Sequence, residues 1–324
     1  MAASRPSALR ALVLTAGLGT RLRPLTHVRA KAAVPVNGEP LARHVVAWLA
    51  AHGIRDQILN LHHKPESIAA VIGDGSDLGV RVRYSWEQPV LGSAGGPRHA
   101  LPLLVDRDVD TFLLVNGDTL TDVSVEALVE AHAASGALVT MAVIPNPRPD
   151  KYGGVAVGVD GTVREFTRRG SPGPSYHFIG VQVASGRAFE GLADGVPEES
   201  VGALYPRLMA GLPGSIRAFV SNASFRDIGT PSDCLETSLA LAEIEGDRLI
   251  GQGASIAGSA TLTRTALWDD VVVGEGARLS DCIVSDGVRI PENMCLERCA
   301  IVPAAGLAPC GNERIEHGLL IRPF

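Results

Sequence analysis

Cysteine is scarce and unpatterned: Cys234, Cys282, Cys295, Cys299 and Cys310 are an odd number with no CxxC spacing. That excludes a disulfide framework and a zinc site, and leaves the thiols as small hydrophobes expected mostly in the interior. No apolar run approaches the roughly 20 residues of a membrane span, and Met1 to Leu9 carry charge but no signal-peptide core. A cytoplasmic protein with no membrane partner is expected. Basic residues are in deficit, 29 Lys and Arg against 35 Asp and Glu, and they are dispersed along the chain. A nucleic-acid surface is therefore not expected, and any phosphate-bearing partner should be small. Histidines are scattered without metal-binding spacing, and none falls between Gly246 and Gly311.

What is present describes a globular chain. With 324 residues, 46% hydrophobic side chains, 36 Gly and 21 Pro, it is long enough for one large domain and a smaller one. Between residues 10 and 245, strand-like apolar runs (Ala11–Thr15, Gln57–Leu61, Val80–Tyr84, Thr111–Val115, Leu138–Val143, Phe178–Val183) alternate with helix-like segments (Leu41–His52, Pro65–Ile72, Gly95–Leu103, Val125–Ser135, Pro231–Glu245). This alternation predicts an α/β fold around a mostly parallel sheet, with ligands beyond the carboxyl ends of the strands. After Gly246 a bulky aliphatic or aromatic residue returns about every six positions, from Ile250, Ile256, Leu262 and Trp268 through Val273, Leu279, Val284, Ile290, Leu296 and Val302. Such a hexapeptide repeat predicts a short parallel β-helix of roughly three coils over residues 246–324, with an irregular tail after Pro303. Residues 1–9 are expected to be disordered.

Two strings carry chemistry. Ala16 to Thr26 (AGLGTRLRPLT) follows the first apolar run directly. Gly17 and Gly19 allow backbone N–H groups to converge on an anion, and Arg21 and Arg23 add charge-assisted hydrogen bonds. The string is neither the dinucleotide GxGxxG nor a Walker A loop. Asn116-Gly117-Asp118 then places a carboxylate at a strand's carboxyl end, and Phe225 to Pro231 (FRDIGTP) supplies a second, Asp227. Mg²⁺ is typically held by one or two carboxylates plus substrate phosphates, which makes Asp118 and Asp227 the expected metal ligands.

GLGTRLRPLT with Lys31, Glu87 followed by Leu91-Gly92-Ser93-Ala94-Gly95, NGDTLTD, Tyr152-Gly153-Gly154 and RDIGTP occur in this order over residues 10–245. The chain thereby resembles the sugar-1-phosphate nucleotidyltransferases, most closely those similar to bacterial mannose-1-phosphate guanylyltransferases. The resemblance implies a Rossmann-like, GT-A-like nucleotidyltransferase domain and a left-handed parallel β-helix. The implied reaction is Mg²⁺-dependent attack of a sugar 1-phosphate on the α-phosphorus of a nucleoside triphosphate, releasing pyrophosphate. It further implies catalytic roles for Arg21, Lys31 and Asp118. Nucleotide binding falls to Leu14, Ala16, Gly17, Gly19, Thr20, Arg21, Glu87 and Gly92. An ionised Glu87 accepts hydrogen bonds only, suiting guanine, uracil or thymine over adenine and cytosine.

On the sugar side, Asn116, Gly153, Glu165, Arg168, Arg169 and Gly180 are the expected contacts. Arg168-Arg169 stand where many members carry Glu-Lys, and Phe178-Ile179 precede Gly180 in place of an asparagine. GTP with mannose 1-phosphate is the leading pair. UTP or dTTP with another sugar 1-phosphate (glucose, N-acetylmuramate), and a catalytically silent sugar-nucleotide-binding subunit, are the alternatives. Exposed edges of a short β-helix also suggest a homo-oligomer through that domain.

Overall fold

A computed structural model describes residues 9–324, so the expected disordered N-terminus lies outside the described residues except for Leu9. The chain forms two compact units that do not follow chain order. The first contains residues up to 17, then 45–65 and 72–226; the second contains 18–44, 66–71 and 227–324.

The first unit is built on a nine-stranded sheet. Its strands are β1 (Arg10–Leu14), β2 (Asp56–Leu61), β3 (Arg81–Trp86), β4 (Thr111–Asn116), β5 (Val139–Pro145), β6 (Gly154–Val157), β7 (Val163–Thr167), β8 (Tyr176–Ser185) and β9 (Ile216–Val220). The order is β7-β6-β8-β4-β1-β2-β3, with β5 paired to both β8 and β9. β1 lies parallel between β2 and β4, β2 is parallel to β3 and β5 to β9, whereas β8 runs antiparallel to β4 and β5. A sheet covered on both faces demands strands that are apolar along their length. β1 and β4 accordingly read as continuous apolar runs, and Leu12, Phe112, Leu114, Met141, Phe189 and Tyr205 fill the core at no more than 1% exposure. All six expected strands are present; β6, β7 and β9 are additional.

In the second unit the C-terminal segment forms stacked parallel rungs. Ser255 pairs with Val272 and Val272 with Arg289, while Thr261 pairs with Arg278 and Arg278 with Cys295. Each step is 17 residues, so a coil consists of two six-residue spacings and one of five. That corrects the repeat at four positions: Leu267 and Ile301 enter the coil core in place of Trp268 and Val302, and Ile250 and Ile256 at its start are exposed. Left-handed corners recur with the same period at Arg264, Asp281 and Arg298. Cys282 stacks on Cys299 one coil above, with their sulfurs 3.6 Å apart. Cys234, Cys282 and Cys299 are buried, but Cys295 and Cys310 are exposed.

The tail is not irregular. Leu319–Pro323 pairs antiparallel with Cys295–Pro303, and Arg314–Glu316 pairs with it in turn. The chain itself thus covers the edge of the last coil that sequence reasoning left open for self-association.

Candidate active site

The expected site residues divide between the two units, the boundary falling within the glycine turn after Gly17. In the second unit, residues 18–33 make a loop folded tightly on itself. Gly19 takes a left-handed φ of 58°, and its carbonyl accepts hydrogen bonds from the Leu22 N–H and the Thr26 hydroxyl. A Cβ on Gly19 would sit 2.7 Å from Thr26 Cγ2 and 3.1 Å from Lys31 Cβ, so this position admits only glycine. Leu22 and Leu25 are fully buried and anchor the loop, whereas Thr20, Arg21 and Arg23 are exposed. Lys31 is half-buried in the next turn.

Asp227 precedes the helix Pro231–Glu245, whose start is fixed by a capping box. The Thr230 hydroxyl accepts from the Asp233 N–H at 3.2 Å, and the Asp233 carboxylate accepts from the Thr230 N–H at 3.0 Å. Between them, Gly229 lacks a side chain where one would be crowded. A Cβ there would lie 3.0 Å from Arg21 Nη1 and 3.2 Å from an Asp227 carboxylate oxygen, so the guanidinium and the carboxylate share one small space.

In the first unit, Asn116 and Asp118 sit at the carboxyl end of β4. The Gly117 N–H donates to the Leu14 carbonyl at 3.0 Å and holds the turn to the end of β1. Asp118 is half-buried. Both expected metal ligands are thus carboxylates, and no cluster of three His, Cys, Asp or Glu exists among the described residues. Each carboxylate, taken by itself, suits a hard cation with further oxygen ligands better than zinc or a soft metal.

The nucleotide-binding set is revised by a buried relay. Glu87 is 1% exposed; one carboxylate oxygen accepts from Asn60 Nδ2 at 2.7 Å and the other from the Leu91 N–H at 2.8 Å. Asn60 Oδ1 accepts from the Thr15 N–H at 2.6 Å and the Ala16 N–H at 3.3 Å. Glu87 is thus buried and engaged at both oxygens, one on the Asn60 that holds the turn after β1 and the other on the Leu91 N–H, and it is not presented to a base. Gly92 is also committed: a Cβ there would lie 2.7 Å from the Glu198 carbonyl oxygen. That carbonyl accepts from the first-turn amides of Ala94 and Gly95. Gly17 remains open, since a Cβ there would meet no described atom within 4 Å.

On the sugar side, a bulge in β8 presses Gly180 against Asn116, with a hypothetical Cβ 2.9 Å from Asn116 Cβ. Gly153 is exposed beside Thr167. Glu165 and Arg168 line an open groove of about 680 Å³ with Val201 and Met209, and Arg169 is exposed on the following turn.

Sequence reasoning missed Asn60, whose signal is a polar residue set between the apolar Ile58-Leu59 and Leu61. It also missed an aromatic cluster beside Gly153: the ring centroids of Tyr152 and His177 are 4.4 Å apart, and those of His177 and Phe225 are 4.7 Å apart. Burial pushes the His177 pKa below the ordinary imidazole value, against a smaller opposing pull from the Gly153 carbonyl.

Among the described residues no helix is long and apolar enough to cross a membrane. The nucleotidyl transferase family profile matches residues 10–171. A mannose-1-phosphate guanylyltransferase of Mycobacterium tuberculosis is 30% identical over 300 residues, covering 89% of this chain and 83% of that protein. A UTP–glucose-1-phosphate uridylyltransferase of Synechocystis is 25% identical over 92% of this chain and 86% of its own. Among solved structures, HddC from Yersinia pseudotuberculosis, complexed with GMP-PN, superposes with a TM-score of 0.63 at 22% identity, covering 72% of this chain and 99% of that one. Its similarity extends to the fold. With the glycine loop, the strand-end aspartate and the RDIGTP turn each placed as described, the chain belongs to the sugar-1-phosphate nucleotidyltransferase family.

Proposed function

We propose that the chain catalyses guanylyl transfer from GTP to mannose 1-phosphate, with Mg²⁺, giving GDP-mannose and pyrophosphate. The similarity to the mycobacterial guanylyltransferase over 89% of the chain carries the choice of substrates. In this reading a phosphate oxygen of the sugar 1-phosphate attacks the α-phosphorus, the bond to the β-phosphate oxygen breaks, and pyrophosphate leaves. No covalent enzyme intermediate is required, so catalysis rests on positioning and charge neutralisation.

Arg21 neutralises the triphosphate and the departing pyrophosphate. Lys31 contacts the α-phosphate or the attacking phosphate. The open approach at Gly17 admits the nucleotide, and Gly19 holds the loop shape that presents Arg21 and Lys31. Asp118 and Asp227 are the residues that would hold the cation, which would supply charge neutralisation between the two phosphates. The pair Asn116 and Gly180, with the Tyr152–His177–Phe225 cluster, is assigned to the sugar ring. Arg168 and Arg169 are assigned to its phosphate.

A second reading has support of its own. Glu87, whose acceptors suit guanine, uracil and thymine alike, is engaged inside the protein and does not choose among them, and the similarity to the uridylyltransferase covers as much of the chain. UTP or dTTP with a different sugar 1-phosphate is therefore the alternative. Pyrophosphate release is measured with Mg²⁺ across five nucleoside triphosphates and the 1-phosphates of mannose, glucose, N-acetylglucosamine and N-acetylmuramate. A peak with GTP and mannose 1-phosphate supports the proposal, a UTP or dTTP peak replaces it with the alternative, and silence across the matrix overturns both.

A further inference from the structure

Arg29 stands two residues before Lys31, at the end of the basic loop. Its side chain points elsewhere. Nε and Nη2 donate to the two carboxylate oxygens of Asp286, each at 2.7 Å, and Nη2 also donates to Asp269 at 2.7 Å. The guanidinium lies 5.5 Å from the centre of the Trp268 ring. Asp269 and Asp286 occupy the same position on successive coils, 17 residues apart, and are themselves fixed: Asp269 accepts from the Gln252 N–H at 2.9 Å and Asp286 from the Asp269 N–H at 3.2 Å. The receptor for Arg29 is therefore a rigid two-coil carboxylate fork, and a bidentate arginine is the cation that fits it.

Other contacts tie the same loop to the same C-terminal segment. Arg322 Nη1 donates to the Arg23 carbonyl at 2.9 Å. The Asn37 N–H donates to Ser238 Oγ at 3.1 Å, and Asn37 Oδ1 accepts from the Arg248 N–H at 3.1 Å. The segment that presents Arg21 and Lys31 is thus held at both ends and in its middle by the β-helix and the helix before it.

We propose that Arg29 is a positioning residue, through which the carboxylate fork of the β-helix sets Lys31 for phosphate contact. The inference rests on the reading of Lys31 as a phosphate ligand. A displacement of about 1 Å in a positioned group is enough to cost up to about 100-fold in rate.

The test compares Asp286→Asn and Arg29→Lys in the full chain, in both the wild-type and the Lys31→Ala backgrounds. Single-turnover pyrophosphate release is followed with the best substrate pair, well below the melting temperature. In the wild-type background each is expected to lower kcat/KM for the nucleotide about ten-fold or more. In the Lys31→Ala background the same substitutions should change it less than about two-fold, because the group they position is gone. Equal losses in both backgrounds, or a lowered melting temperature with unchanged kinetics, would overturn the proposal. If Lys31→Ala turns over like wild type, the phosphate-loop reading itself falls, and this inference with it. Should Asp286→Asn fail to fold, Asp269→Asn removes only the outer contact and serves the same comparison.

Discussion

Glu87→Gln separates a base-reading carboxylate from a structural one, and the hydrogen bonds dictate the outcome. The relay begins and ends on donors, the Leu91 N–H at one end and the Thr15 N–H at the other, with Glu87 and Asn60 between. A carboxylate accepts at both of its oxygens, so every contact is donor to acceptor. Glutamine supplies only one acceptor. If its oxygen faces Leu91, its NH₂ must face the Asn60 carbonyl oxygen, which turns the Asn60 NH₂ against the Thr15 N–H; the opposite orientation sets NH₂ against the Leu91 N–H. The clash can be moved along the relay but not removed. A hydrogen bond to a charged group contributes about 1.5–3 kcal/mol, and an orphaned buried donor costs about 1–3 kcal/mol. A loss of about 3 kcal/mol in a unit of this size corresponds to roughly 6–12 °C in melting temperature. Differential scanning fluorimetry with and without nucleotide, together with base preference across the triphosphates, measures both effects. A large drop in melting temperature with unchanged base preference is expected. Near-wild-type melting with an altered base preference would refute the relay argument.

Asp118→Asn should lower turnover by about 100-fold or more while melting near the wild-type temperature, because the half-buried carboxylate is read as a cation ligand and not as a fold determinant; steady-state pyrophosphate release checks it. Arg21→Ala should reduce nucleotide-dependent thermal stabilisation far more than stabilisation by the sugar 1-phosphate, and equal losses would reassign the residue. Burial holds His132 and His177 below the ordinary imidazole pKa, against smaller opposing pulls from Asp110 and the Gly153 carbonyl. The unfolded chain therefore binds more protons between those lowered values and about 6.5, so their contribution is complete above about pH 6.5 and is lost as pH falls through that window. Melting curves from pH 7.5 to 5.5 should decline, and His132→Gln, which can keep the contact with Thr140 Oγ1 at 2.9 Å, should flatten the decline.

The main sheet was legible where burial is two-sided. β1 and β4 are apolar along most of their length and β2 carries the apolar Ile58-Leu59 at its centre, each in a run of strand length. β7 and β9 were not, because Arg164, Glu165 and Arg217 interrupt their alternation. The β-helix was legible as a repeat but not in its phase. Counting alone places one five-residue step a position late, at Trp268, and misses another at Val302, whereas the pairing of Leu279 with Leu296 and of Val284 with Ile301 shows that the coil closes after 17.

For the site, the limit of sequence is one of accounting more than of identity. Asp118 was placed correctly at a strand end because a strand and the turn after it are local. Glu87 carries the right chemistry for a base acceptor, yet whether a carboxylate is free depends on partners elsewhere, here Asn60, 27 residues away. Arg29 is the extreme case. Its neighbours in sequence are the phosphate loop, but its partners are Asp269 and Asp286, 240 and 257 residues on. An arginine's charge can serve a substrate or a scaffold equally well, and within the loop only its contacts separate Arg21, which shares the space at Gly229 with Asp227, from Arg29, which is already spent on the coils.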